Sequence, residues 1–223
     1  MQPVRHVRVK VCCISSREEA RLAVEWGADA LGLVSRMPSG PGVIDEALIT
    51  EFAATAPPGV TSFLLTCEED AEQLISQARR TRVNTVQLVD TLPVETLRRL
   101  RSALPSVKVV QVVHVVDASS VEQARAVARE VDALLLDSGN PSLAVKELGG
   151  TGRVHDWSLS RSIRETVSVP VFLAGGLKPE NVAEAIQSVG PFGLDVCNGL
   201  RTEGALDADK LQRFMRAVRA AEG

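Results

Sequence analysis

Cys12, Asp90, His114, Asp137 and Asp195 each stand in or at the end of an apolar, β-branched run of this 223-residue chain. Thiols and carboxyls at such places suit proton transfer, because a thiolate takes a proton and a desolvated carboxyl gives one. Asp137 closes an Ala-Leu-Leu-Leu run, so its carboxyl meets an apolar interior, and lost hydration raises its pKa toward that of a general acid. Cys12 needs the opposite shift, toward thiolate, to act as a base. His114 lies in Val-Val-His-Val-Val, where a satisfied core histidine is commoner than a catalyst. Asp195 reads equally as a site residue and as a structural acceptor holding the last strand's loop.

Three small-residue clusters follow the later runs: Gly149-Gly150-Thr151-Gly152, Gly175-Gly176 and Asn198-Gly199. A turn accounts for any one of them. Together they predict a phosphate site, since small residues let backbone N–H groups approach an anion closely.

The elements that must position these residues alternate along the chain. Strands are predicted at Val7–Cys13, Ala30–Ser35, Val60–Thr66, Thr85–Val89, Val107–Val115, Ala133–Asp137, Val169–Ala174 and Gly193–Cys197. Helical spacing fills Ser16–Trp26, Asp45–Ala56, Glu68–Arg80, Pro93–Ala103, Ser119–Glu130, Ser158–Thr166, Pro179–Val189 and Asp207–Ala221. Ser16 is the expected first N-cap with Glu19 three residues on, Gly27 the stop, and Pro179 and Asp207 mark helix starts. Eight such pairs over residues 1–223 predict one α/β domain, a single (β/α)₈ barrel of the TIM type. An open doubly wound sheet would carry a glycine fingerprint after its first strand, where this chain reads Cys12-Cys13-Ile14-Ser15. The long connections Arg36–Ile44 and Ser138–Trp157 fall on the face where barrels keep their chemistry.

Composition removes several classes of function. Hydrophobic residues make up 45%, charged ones 24%, and the net charge is −3, which leaves no basic field for nucleic acid or an anionic membrane. Aromatic content is 3% with no tyrosine, so stacking on bases is not expected. No apolar run reaches the ~20 residues of a membrane span, and residues 1–15 lack a signal pattern, so a cytoplasmic protein is expected. Cys12 and Cys13 point to opposite faces if both lie in a strand, and no CxxC occurs, so neither a metal nor a disulfide is expected.

The strings Lys10-Val-Cys12-x-Ile14, Asp132-Ala-Leu-Leu-Leu-Asp137-Ser138, Gly149-Gly-Thr-Gly152, Asp156-Trp157, Ala174-Gly-Gly-Leu177, Pro179-Glu-Asn181-Val and Gly193-x-Asp195 occur in order along the whole chain. As a set they resemble the phosphoribosylanthranilate isomerase family of tryptophan biosynthesis. The resemblance implies Cys12 as general base and Asp137 as general acid of an Amadori aldose-to-ketose rearrangement, with no cofactor or metal. It implies a small phosphorylated substrate held by Gly152, Gly175, Gly176, Asp195, Asn198 and Gly199, and a monomer or homodimer.

Four positions depart from the family pattern. Cys13 replaces the glycine after the base, and Gln87-Leu88-Val89-Asp90 replaces Gln-Leu-His-Gly. Asn198-Gly199 replaces the phosphate-binding Ser-Gly, with Arg201 where an acidic residue is usual. Ser39-Gly40-Pro41 replaces Ser-Pro-Arg, so Pro41 stands where an arginine would clamp the anthranilate carboxylate. Arg36, five residues earlier, is the nearest substitute cation by sequence, although a solvated loop residue is the commoner reading of it. Three functions follow: the isomerase itself, a related isomerase acting on another phosphoribosyl aminoaldose, or a non-catalytic sugar-phosphate-binding barrel.

Overall fold

Apolar strands that lie parallel must be covered on both faces, and closing the sheet on itself within a ring of helices achieves this without leaving an edge. The computed structural model describes residues 6–38, 40–139 and 155–222. Its strands are β1 (Arg8–Val11), β2 (Ala30–Val34), β3 (Thr61–Thr66), β4 (Thr85–Leu88), β5 (Lys108–His114), β6 (Ala133–Asp137), β7 (Val171–Leu173) and β8 (Gly193–Val196). They pair in chain order and close, all in parallel, by the β1–β8 seam. The seam register sets Arg8 against Gly193, Val9 against Leu194, Lys10 against Asp195 and Val11 against Val196. The expected (β/α)₈ barrel is therefore the observed architecture.

The helices follow each strand in turn: α1 (Arg17–Glu25), α2 (Glu46–Thr55), α3 (Ala71–Thr81), α4 (Val94–Ala103), α5 (Ser119–Val127), α6 (Trp157–Thr166), α7 (Val182–Val189) and α8 (Ala208–Ala221). Alternation along the strands sorts their side chains into two layers. Val9, Val11, Leu31, Leu33, Leu134 and Leu136 pack outward with helix residues such as Ile49, Leu97 and Phe214. Ala30, Phe63, Leu65, Val110, Val112, Leu135 and Phe172 fill the barrel interior. Phe63 and Phe192 each meet the Phe172 ring edge-on, at centroid distances of 5.9 and 5.4 Å, plugging the interior below the mouth.

Two expectations about helix starts need correction. Pro179 does not begin α7, which starts at Val182. Asn181 explains the delay: its side chain accepts from the Lys178 N–H (2.8 Å) and donates to the Gly176 carbonyl (3.0 Å), so a turn precedes the helix. At α1, Ser16 does cap the Glu19 N–H, but the Glu19 carboxylate takes the Ser15 N–H rather than closing a capping box on Ser16. Gly149–Gly152 and Ser39 lie outside the described residues.

The ends of the described chain meet beneath the barrel, where the Val7 N–H donates to Glu222 Oε1 at 2.7 Å. No helix among the described residues is long and apolar enough to cross a membrane. A short antiparallel pair, β9 (Arg201–Thr202) with β10 (Ala205–Leu206), lies between β8 and α8. Asp207 then caps α8, accepting from the Asp209 and Lys210 N–H groups and from Thr202 Oγ1. Asp207→Ala is expected to cost about 1 kcal/mol, the usual worth of such a cap, and to lower Tm by ~2–4 °C in a calorimetric scan. An unchanged Tm would show that the cap contributes nothing.

Candidate active site

Inward positions on β1 recur every second residue, so Lys10 and the residue after the strand's end, Cys12, share the barrel interior. Lys10 has no exposed surface. Its Nζ donates to Asp195 Oδ1 on β8 at 2.7 Å and to Cys12 Sγ at 3.3 Å, and lies 5.4 Å from the centroid of the Phe63 ring. Burial alone would lower the ammonium pKa; Asp195 and Cys12 outweigh it, and the net shift is upward. Gly32 on β2 makes the space, since a Cβ there would fall 2.7 Å from Cys12 Sγ and 3.0 Å from Lys10 Nζ. The trio of Lys10, Cys12 and Asp195 thus requires a glycine at this close approach.

Asp137 ends β6, two strands beyond β8 around the barrel. It is buried, and one carboxylate oxygen accepts from the Ser138 N–H at 2.7 Å. Desolvation pushes its pKa up to about 6, against the opposing pull of the Ser138 N–H, with Asp195 raising it further and Lys10 lowering it. Cys12 and Asp137 line one cavity of about 260 Å³ at the C-terminal ends of the strands, together with Gln87, Asp195 and Cys197.

One end of this cavity is walled by Gly175, Gly176, Asn198, Gly199 and Lys178. Gly175 and Gly176 have φ of 81° and 64°. A Cβ at Gly199 would run into the Leu177 carbonyl, so only glycine lets these two loops meet. The other end is apolar, formed by Val34, Met37, Leu65 and Val89 with Gly40 and Pro41. The Arg36 side chain is exposed and is not among the residues lining the cavity. His114 is also outside the lining; its Nε2 meets the Val89 carbonyl at 3.3 Å, and burial lowers its pKa. Asp90 takes no part in the lining, and its carbonyl accepts from Gln111 Nε2 at 2.9 Å. Gly152 lies outside the described residues.

Cys12 and Cys13 do not face opposite ways. The strand stops at Val11, and Cys13 takes a left-handed φ of 63°, which turns its thiol into the same cavity. Arg201 holds this bend. Its guanidinium makes a two-pronged pair with Glu19 (2.8 and 3.1 Å) and donates to the Cys12 and Cys13 carbonyls. Burial would raise the Glu19 pKa, but Arg201 and the Ser15 and Leu206 N–H groups outweigh it and hold the carboxyl below its usual range.

A model of the N-(5'-phosphoribosyl)anthranilate (PRA) isomerase family matches residues 9–217. The chain belongs to this family. PRA isomerase 2 of Methanosarcina mazei is 38% identical over 215 residues, spanning 96% of this chain and 94% of that protein. The crystal structure of the Thermotoga maritima isomerase superposes with a TM-score of 0.83 at 32% identity, covering 96% of this chain and all of that one. A PRA isomerase in complex with reduced 1-(o-carboxyphenylamino)-1-deoxyribulose 5-phosphate superposes with a TM-score of 0.81 at 30% identity, again over 96% of this chain and all of that one.

Within this member of the family, three site features escape a reading of the sequence. Lys10 sits in a recognised string, yet its role depends on a partner 185 residues away. Its inward parity with Cys12 was the available signal. Arg201 and Glu19 likewise meet across 182 residues. Gln87 lines the cavity, and its buried Oε1 has no hydrogen-bond partner among the described residues.

The raised Asp137 pKa is also a statement about stability. A carboxyl whose folded pKa exceeds its unfolded value loses stability as pH rises between the two, here from about 4 to about 6, by about 3 kcal/mol in all. Asp137→Asn is therefore expected to raise Tm by several degrees at pH 8 and by little at pH 4, measured by thermal unfolding. Equal effects at both pH values would show that the desolvated carboxylate is not the source.

Proposed function

We propose that the cavity carries out the aldose-to-ketose isomerisation of N-(5'-phosphoribosyl)anthranilate, with Asp137 as general acid and Cys12 as general base. The observation that carries this reading is the meeting of the two groups in one cavity, the carboxyl having its pKa pushed up to about 6. Such a carboxyl keeps a protonated fraction near neutrality that an ordinary aspartate does not, and can release it, as a general acid must. Asp137 protonates the ribose ring oxygen, the ring C–O bond opens, and an iminium forms. The Cys12 thiolate removes the C2 proton to give an enolamine, which tautomerises to the ketose. Lys10 fixes the direction of the Cys12 sulfur and keeps Asp195 paired, which leaves Asp137 as the carboxyl that exchanges protons.

The phosphate belongs at the end of the cavity walled by Gly175, Gly176, Lys178, Asn198 and Gly199. Close backbone approach there and the three-residue 3₁₀ turn Asn198–Leu200 support this placement. The aryl ring belongs against Met37, Leu65, Val89 and Pro41 at the apolar end.

A second reading, the same rearrangement on an aminoaldose without a carboxylate, is favoured by one observation. Pro41 lines the aryl end and Arg36 does not, so among the described residues no guanidinium meets a carboxylate there. A desolvated carboxylate without a cation is costly.

Cys12→Ser and Asp137→Asn are each expected to lower turnover of phosphoribosylanthranilate by ~10²–10⁴-fold, with far-UV circular dichroism unchanged. Parental rates in either variant would remove that residue from its role. The same assay separates the substrates. A strong rise in KM for Arg36→Ala assigns Arg36 to the carboxylate. A neutral Arg36→Ala, with activity created or greatly increased by Pro41→Arg, assigns the chain to an uncharged aryl group.

A further inference from the structure

Cys13 occupies a backbone conformation that costs an L residue about 1–2 kcal/mol relative to glycine. Gly42 packs against it so closely that a Cβ at position 42 would lie 2.5 Å from the Cys13 Cβ, so the side chain has little freedom to move away. Held there, Cys13 Sγ stands 2.7 Å from Cys197 Sγ, across a sequence separation of 184 residues. That is only about 0.7 Å more than the ~2.05 Å of a disulfide bond. The two thiols follow β1 and β8, the strands whose pairing closes the barrel, and both line the cavity. None of the four cysteines is in a disulfide.

The two sulfurs are electrically unlike. The hydrogen bond with Cys13 lowers the Cys197 pKa, burial opposes it, and the Arg201 guanidinium lowers it further. Hydrogen bonds with Cys12 and Cys197, then burial, push the Cys13 thiol up. Cys197 is half-buried where Cys13 is buried, so the lower-pKa thiol is also the one within reach of a reagent in the cavity.

We propose that Cys13 and Cys197 form a reversible oxidation site, converted by a small-molecule disulfide into a disulfide across the β1–β8 seam while Cys12 stays reduced. The Cys197 thiolate attacks one sulfur of the reagent, forming a mixed disulfide and expelling one reagent thiolate. Cys13 then attacks Cys197 Sγ, and its proton leaves with the second reagent thiol. Two protein thiols are oxidised and one reagent disulfide is reduced to two thiols. Cys12 is spared because its sulfur is engaged by Lys10 Nζ at 3.3 Å, while the Cys13 sulfur stands against that of Cys197.

The test is oxidation of the folded protein with oxidised glutathione, followed by alkylation of remaining thiols, proteolysis and mass spectrometry. The expected product carries two alkyl groups, on Cys12 and Cys67, and a cross-link joining the Cys12–Cys13 peptide to the Cys197 peptide. Cys12→Ser should keep the cross-link, and Cys13→Ser and Cys197→Ser should each abolish it. Oxidation should also raise the Tm of the parent by several degrees, reversed by dithiothreitol, because the bridge closes a long loop of the unfolded chain. A protein that ends with glutathione adducts only, that shows no cross-link, or that still cross-links as Cys13→Ser would overturn the proposal.

Discussion

The buried ion pair between Lys10 and Asp195 is the interaction on which the site depends. An ammonium with no exposed surface is unfavourable unless its charge is met, and Asp195 meets it at 2.7 Å across the seam that closes the barrel. The register of β1 against β8 and the neutrality of the interior are therefore one requirement, since a slip of one residue would separate the pair and turn Lys10 outward. From the same ammonium, Cys12 Sγ receives its hydrogen bond. With Lys10 and Asp195 cancelling, Asp137 is left as a desolvated carboxyl whose nearest carboxylate neighbour raises its pKa and whose nearest cation is already engaged.

A second pair, Arg201 with Glu19, does for the bend after β1 what Lys10 does for the strand. Five acceptors converge on its two terminal nitrogens: both Glu19 oxygens and the carbonyls of Cys12, Cys13 and Gly204. The bend needs such a clamp, because Cys13 holds a left-handed φ without the freedom of glycine. Departures from the family pattern at positions 13 and 201 are thus physically connected, one residue straining the turn and the other tying down its carbonyls.

Most of the barrel was legible in the sequence because its signals are local. Runs such as Ala133–Asp137 and Gly193–Val196 carry strand signals within themselves, and Ser16, Asp45 and Asp207 announce helices with their own side chains. The strand ends were less legible. Cys13 looked like a continuation of β1 because backbone sign at a non-glycine residue leaves no trace in composition. Pro179 looked like a helix start, and only the turn formed by Asn181 displaces it. In the site, Cys12 and Asp137 were legible from residue type, strand position and family resemblance. Contacts made over 182 to 185 residues, those of Lys10, Arg201 and Cys197, were not, since no local pattern specifies a partner on another strand.

The contact between Val7 and Glu222 makes the backbone nearly a ring. In a barrel whose strands pair strictly with their sequence neighbours, β8 beside β1 is the same kind of step as β3 beside β4. Nothing in the strand pairing then marks where the polypeptide should be opened. A short bridge over residues 7 and 222, with a new cut in an exposed turn at the opposite end from the cavity, such as Pro57–Gly59, would yield a circular permutant with every strand neighbour and every interior side chain retained. The seam that Lys10 and Asp195 fasten would simply become an internal connection.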